Sequence, residues 1–564
     1  MGAAVANDFD SAFGPGAQVP LSGAAGETAS THALASAAYR DSDVDEILKA
    51  NSEWHKSEIK KGKLSLFKPD LGEAFSRAVQ VRMLGGARKP LIQSFGTEPQ
   101  AVVEHCLAAT RLRKQRDSQL TVVMVVFGVL FLPGLLIWLV IFQAKKWITD
   151  QKDKRAQALS TALLVAGAGL LLLFLVRLPF TGIAGIYLRA MIVAPVIGWL
   201  LAKQICEKTA KDMRVRWESL LAGGGIGAKI PEAVPSDPND TEAEKLREGL
   251  ERLSAEQGSN SVFYAGPKGI LGMGTRWGSW QLAEELVPRH EGKEINPFRS
   301  WTVIRAIYKQ LRELERGPLH TGGFPTPSVR HWIVRPIGEN AKEVARPASS
   351  KIKTSDGKEH ETYVIKENEI ERICNEQQFS SGDRHYLGVQ FRLWDGQLML
   401  TMLITVTVLA HTLRIEVTGH ALGPVHALFT TKPKPKVKEV AKTIRFWEVK
   451  EVKQPLMSTL DVVRISVRAP FTWYPPLLDF LGGKLVLPEP FGLRHAWADK
   501  PWRHRFMADD ALRAATPVLR AVHASAIKVL EENDVDTERF GTRSTFLSGL
   551  VQDPTPRKAD VYEA

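Results

Sequence analysis

The sequence predicts a membrane protein: a small α-helical membrane-anchor block joined to a larger soluble α+β domain. Three observations predict it: two stretches of about twenty residues without charge, basic residues crowded at the borders of the apolar runs, and a switch to period-two hydrophobicity after about residue 261. Elsewhere the composition is that of a globular chain. The 564 residues are 44% hydrophobic and 24% charged, with a mean hydropathy of −0.12. This excludes wholesale disorder and a chain that is membrane-embedded throughout. The length exceeds a single core, so two or three structural units are expected.

Residues 1–38 are rich in Ala, Gly and Ser and predict a disordered tail. The start MGAAVANDFD has neither a basic region nor an apolar run, so no secretory signal is expected, and Ala6 breaks the myristoylation pattern. Residues 39–118 predict a helical N-terminal region. A helix is expected from Asp41 toward Lys61, a second over Leu71–Met83, and a third opening at Thr97 with Pro99 in its first turn.

The membrane block is placed at 119–202, as two hairpins or three spans. No charge separates Asp117 from Lys145, and residues 120–142 would cover roughly 34 Å as a helix. A second run occupies 159–176, with small residues at Gly167 and Gly169. A third occupies 183–202 and carries Arg189 near its start. Arg111, Arg113, Lys114 and Arg116 precede the first run, Lys145, Lys146, Lys152, Lys154 and Arg155 follow it, and Lys203, Lys208 and Lys211 follow the third. All three basic flanks ask for the cytoplasmic side, which three simple spans cannot satisfy. A first run that re-enters and bends at Pro133-Gly134, beside a hairpin of the other two runs, satisfies them all. A straight first span with a proline kink is the alternative. A re-entrant backbone needs protein cover.

Residues 203–260 predict an amphipathic helix, a Gly/Pro linker and a short charged helix. Residues 261–550 predict the α+β cytoplasmic domain, and 551–564 a tail. Strands are expected at 261–266, 331–338, 387–393, 398–408, 442–452 and 461–469, with an Asp-Gly turn at 395–396 and residues 411–419 either continuing the long strand or pairing back on it. Helices are expected over 298–316 and 509–532, the latter interrupted near Pro517.

Three cysteines, Cys106, Cys206 and Cys374, form neither a disulfide framework nor a metal motif. His411, His420 and His426 with Glu416 have none of the common zinc spacings, and no metal or cofactor is expected. No catalytic motif is present, so no catalytic residue is assigned. Gly269, Gly272 and Gly274, followed by Arg276, form a weak ligand-loop candidate; the competing reading is a tight loop whose Trp277 and Trp280 pack inward. Lys145, Lys146, Lys432, Lys434 and Lys436 are lipid-headgroup candidates, the last three on a proline-stiffened segment that equally reads as a soluble hairpin tip.

The Ala/Arg/Val/Gly bias, the apolar hairpins, and SVFYAG followed by GILGMGTRWGSW resemble uncharacterised integral membrane proteins of high-GC actinobacteria, over much of residues 100–410. The resemblance implies an integral membrane protein and brings no activity and no site residue. The expected function is a multi-pass protein of the cell (inner) membrane, both termini cytoplasmic, with a cytoplasmic interaction or regulatory domain. The bilayer is the expected partner, with homo-oligomerisation open and no nucleic acid expected. An oligomeric channel or transporter, and a membrane-bound enzyme acting on a phosphorylated or lipid-linked substrate, are the alternatives.

Overall fold

The computed structural model describes residues 28–51, 56–85, 89–138, 182–222, 240–316, 325–339, 341–346, 350–353, 359–376, 381–435, 437–441, 449–453 and 455–538, with single positions at 167, 234, 379 and 540. The second apolar run (apart from Gly167), the 145–155 linker with Lys145 and Lys146, and Lys436 lie outside the described residues.

The chain carries a large mixed α+β domain built on one six-stranded sheet. Its strands are β1 (Ser261–Tyr264), β2 (Thr275–Glu285), β3 (Ser328–Pro336), β4 (Arg384–Leu393), β5 (Leu398–Leu409) and β6 (Thr412–Leu422). They lie in the order β1-β3-β4-β5-β6-β2, antiparallel except for the β1–β3 pair. The alternation read in 398–408 is a central strand, and its two sets of side chains enter two cores. Leu400, Met402 and Ile404 join one cluster, while Met399 and Leu403 join another. Residues 411–419 pair back as β6 through a two-residue turn containing Ala410 at φ 48.

The N-terminal residues are part of the same body. Helices α1 (Ala29–Ser36), α2 (Leu71–Leu84) and α3 (Pro99–Met124) share a core with Val425, Phe429, Phe491 and Trp497. The tail expectation is corrected from Thr28 onward. Its small side chains let α1 pack closely, and Ser30 Oγ donates to the Gly396 carbonyl at 2.8 Å. The helix expected from Asp41 is instead a 3-10 segment, Val44–Ala50, then a strand, Glu58–Lys61, paired with Gly483–Val486.

Further along, α4 (Leu132–Trp138) follows a break after α3, and α5 (Ile183–Ala222) is one continuous helix with Pro195 inside. Next come α6 (Thr241–Gln257), α7 (Ser300–Arg316) and α8 (Glu367–Glu376). The helix α9 (Thr459–Arg468) replaces the strand expected at 461–469. Its β-branched residues mimic a strand, but Val462, Ile465, Ser466 and Ala469 are the buried set, which is helical spacing. Ser458 and Asp461 form a capping box at its start. Of the strand expected at 442–452, residues Val449–Lys453 pair with Val437–Ala441, and 442–448 lie outside the described residues. After α10 (Pro475–Gly482), α11 (Arg505–Glu532) runs unbroken through Pro517. Helices α7, α8 and α11 cover one sheet face. Phe95, in the stretch before α3, packs edge-on against Trp332 on the other face.

Candidate functional site

Among the described residues, α5 is the one helix long and apolar enough to cross a membrane, with a window of mean hydropathy 1.8 that is only 35% buried. A core helix of this length would be mostly covered. The pair α3–α4 passes the same test only as a broken span, and its two parts meet at 96°. The break falls at Leu130–Phe131, just before Pro133-Gly134 where the sequence placed it, and those two residues sit in the first turn of α4. A single π-helical turn, Val125–Val129, leads into it.

The bent segment lies against α5. Tyr187 donates its hydroxyl to the Leu130 carbonyl at 2.9 Å, and the Trp138 indole donates to the Ile192 carbonyl at 3.0 Å. Phe131 stacks on Tyr187 at 5.6 Å. Pro195 has no N–H to offer the Met191 carbonyl four residues earlier. Gly134 sits on that same oxygen, so close that a Cβ would lie 1.7 Å from it. At Gly198 a Cβ would lie 2.6 Å from Phe127. The bend is therefore shaped to this one neighbour. Outward from it, Val122, Val125, Val129, Val193, Ile197 and Leu200 are exposed. So many large apolar groups exposed on two adjoining helices exceed the scattered singles of an ordinary surface.

The helix pair leaves the body at a defined level. Leu120 of α3 and Ala202 and Cys206 of α5 share a cluster with Met457, Val462, Ile465 and Ala469. This is the height at which charge stops, since Asp117 and Lys203 are the nearest charged residues. Below it lies an ionic network. Arg468 pairs with Glu73, Arg464 with Asp70, and Arg116 with Asp117 at 2.7 Å, while Arg113 donates to the Ala38 carbonyl at 2.7 Å. The Arg468 guanidinium, then Arg113 and Arg116, hold the Glu73 carboxyl below its ordinary range against its burial, while burial raises Asp117 despite Arg116. Two of the four cations counted before the first run, Arg113 and Arg116, are thus engaged inside the protein.

The glycine loop lies elsewhere, at one end of β2. Gly269, Gly274 and Arg276 line a cavity of about 120 Å³ together with Lys268, His420, His495 and Asp499. Gly272 faces the Gln93 carbonyl instead. Arg276 is the cross-strand partner of His420. Burial, aided by Arg276, lowers His420 to about 4, so it is neutral at physiological pH. The glycines have packing reasons: at Gly272 and Gly274, both at positive φ, a Cβ would lie 2.8 Å from the Gln93 carbonyl and 2.2 Å from that of Ala421. Trp277 and Trp280 pack inward, edge to face at 5.4 Å. His420, His495 and Asp499 carried no local sequence signal, since they arrive from 140 or more residues away. Of the remaining histidines weighed for metal, His411 lies in the β5–β6 turn and His426 caps the short helix Ala427–Thr430.

Lys432 and Lys434 are exposed on a segment held to the far part of α5, where Trp217 donates to the Thr431 carbonyl at 3.1 Å and Arg214 to that of Lys434 at 3.3 Å. Arg214 lies roughly 17 Å along the helix from Lys203.

These features define a mixed α+β body from which an exposed apolar helix pair projects. A family model, the AbeC-like domain, matches residues 279–554, a little under half of the chain. The match starts within β2 and extends past α11, leaving the apolar helices outside it. No curated protein and no solved structure matches the chain.

Proposed function

We propose that the chain is a multi-pass membrane-anchored protein whose α+β body, including the AbeC-like region, acts on the cytoplasmic side as an interaction or regulatory module. The observation that carries this reading is the 96° bend fitted onto α5. A backbone broken inside lipid must have its freed polar groups satisfied by protein. Here the Leu130 carbonyl at the break receives the Tyr187 hydroxyl, and Gly134 closes over the Met191 carbonyl that Pro195 leaves without its helical donor.

In this arrangement the first run dips in and returns, α5 crosses, and the second run supplies the crossing before it. The basic 145–155 linker then stays on the same side as the body. Arg189 is exposed near the outer end of α5, where a long side chain can snorkel. Lys203 marks the headgroup level, and the distance along α5 removes Lys432 and Lys434 from it. Neither alternative draws comparable support. A conducting path needs polar groups along the apolar helices, and the described parts expose chiefly Val, Leu and Ile. An enzyme reading rests on the small Arg276 cavity, whose neighbouring glycines at 272 and 274 packing already explains.

Membranes from cells expressing the chain test the anchor. Washing with alkaline carbonate is expected to leave the protein in the pellet, released only by detergent. Recovery of the full chain as a soluble monomer in detergent-free buffer contradicts the reading.

A further inference from the structure

Beside the exit point of the apolar pair, three short elements expose large apolar and aromatic side chains that the anchor does not use. Leu64 and Leu66 lie on the segment after the Glu58–Lys61 strand, Trp473 and Tyr474 precede α10, and Phe480 lies on it. Trp473 is 81% exposed. Soluble surfaces rarely gather such residues together, while membrane–water interfaces favour Trp and Tyr.

Their place in the fold says what covers them. The turn before Trp473 follows α9, whose Val462 and Ile465 pack with Leu120 and Ala202, the first residues of the anchor inside the body. Phe471 meets Phe67 edge to face at 5.6 Å, tying this turn to the Leu64–Leu66 segment. The Leu64 N–H donates to the Leu481 carbonyl at 2.9 Å, which ties α10 to the same place. The patch is therefore contiguous with the level where charge gives way to apolar helix. Its rim is cationic. The Lys63 ammonium lies 4.3 Å from the centre of the Phe480 ring, and exposed Lys60 faces exposed Lys484 across the two-stranded ribbon. Aromatic side chains bordered by lysines match an anionic headgroup layer.

We infer that residues 64–66 and 473–480 form an interfacial foot that inserts into the anionic headgroup layer of the bilayer and sets the height of the α+β body on it. This rests on the membrane-anchored reading and adds a second, peripheral contact to it.

The test uses the full chain in vesicles of phosphatidylcholine and phosphatidylglycerol at seven to three. Single cysteines are introduced as Trp473→Cys, Phe480→Cys, Val126→Cys, Val193→Cys and Phe379→Cys and labelled with an environment-sensitive dye; the three native cysteines are buried. Each labelled protein must keep the wild-type melting transition, and Tyr474→Cys replaces Trp473→Cys if that one does not. Probes at 473 and 480 are expected to be quenched at least two-fold by a shallow spin-labelled lipid. Those at 126 and 193 should respond to a deep one, and that at 379 only to aqueous iodide. Iodide quenching at 473 and 480 as strong as at 379, with 126 and 193 still reached from lipid, overturns the foot alone. Probes at 473 and 480 reached by neither quencher also overturn it, since protein then covers the patch. Iodide quenching at 126 and 193 as well removes the anchor and the foot together.

Discussion

Arg494→Ala should lower the melting temperature of the detergent-solubilised chain by roughly 5 °C or more, the largest single-site effect expected in the body. Arg494 is fully buried, and its guanidinium donates to five backbone carbonyls from three parts of the chain: Phe95 at 3.4 Å, Gly96 at 3.2 Å, Gly396 at 2.5 Å, Gln397 at 2.8 Å and Gly423 at 2.8 Å. Burial pushes it down to about 9, so it remains charged at neutral pH. The stretch before α3, the β4–β5 turn and the end of β6 meet on this one group. Gly96 and Gly396 keep the Thr28 and Ser30 hydroxyls as donors, while the Phe95, Gln397 and Gly423 carbonyls lose the guanidinium. Each buried carbonyl left without a donor costs about 1–3 kcal/mol, and water entering the gap recovers part of that. A net loss of at least about 4 kcal/mol is large against a domain stability of about 5–15 kcal/mol. Arg494→Lys keeps the charge but not the planar fork and should fall between wild type and alanine. A melting shift under about 2 °C for Arg494→Ala would show that the five bonds do not hold the body together.

Acidification from pH 7.5 to 5.5 should destabilise the protein by about 4–5 kcal/mol. Burial lowers His105 to about 3, His385 to about 3, His331 to about 4 and His420 to about 4, from an ordinary value near 6.5. His385 also stands 3.0 Å from His331, so a proton on either is opposed. Groups with depressed basicity stay neutral in the folded chain while the unfolded chain takes up protons below pH 6.5. The unfolded state then binds more protons, and stability falls with pH through the window from 6.5 toward 4. Each contributes about 1.4 kcal/mol over this step, or about 5–6 kcal/mol for the four. Glu98 acts the other way. Burial raises it to about 7, so the folded chain binds its proton first and gains stability on acidification, by about 1 kcal/mol after allowance for its partial exposure. Thermal melts at the two pH values should differ by several degrees, the lower temperature at pH 5.5. Equal melting temperatures would mean that these histidines already titrate near their ordinary values in the folded chain.

Much of the sheet was legible because strands read by alternation need only local information. Leu398–Leu409 showed period two, and the structure uses both faces of it. The bend was legible to within a few residues, since Pro133 and Gly134 stand side by side in the apolar run, although the helix breaks just before them, at Leu130–Phe131. What stayed hidden depends on partners distant in sequence. The Ala- and Ser-rich stretch at 29–36 reads as tail by composition, and it folds because the turn at 394–396 accepts it: the Ala29 N–H donates to the Asp395 carbonyl at 3.1 Å. In α9 the β-branched residues outweighed a capping pair three residues apart. Strand β2 was masked by the glycines around Arg276 and a bulge at Trp277, although Trp280 and Leu282 alternate inward. The exposed aromatic stretch at 473–480 gains meaning only from its neighbours, α9 and the exit of α5.

The central claim is that the first apolar run enters and leaves on the side of the α+β body. Accessibility of single cysteines in sealed, oriented membrane vesicles tests it most directly, with Asp150→Cys in the linker, Phe180→Cys between the second and third runs, and Phe379→Cys on the body. An impermeant thiol reagent is expected to label positions 150 and 379 from one side and position 180 from the other. Labelling of position 150 from the side opposite to 379 would contradict the account.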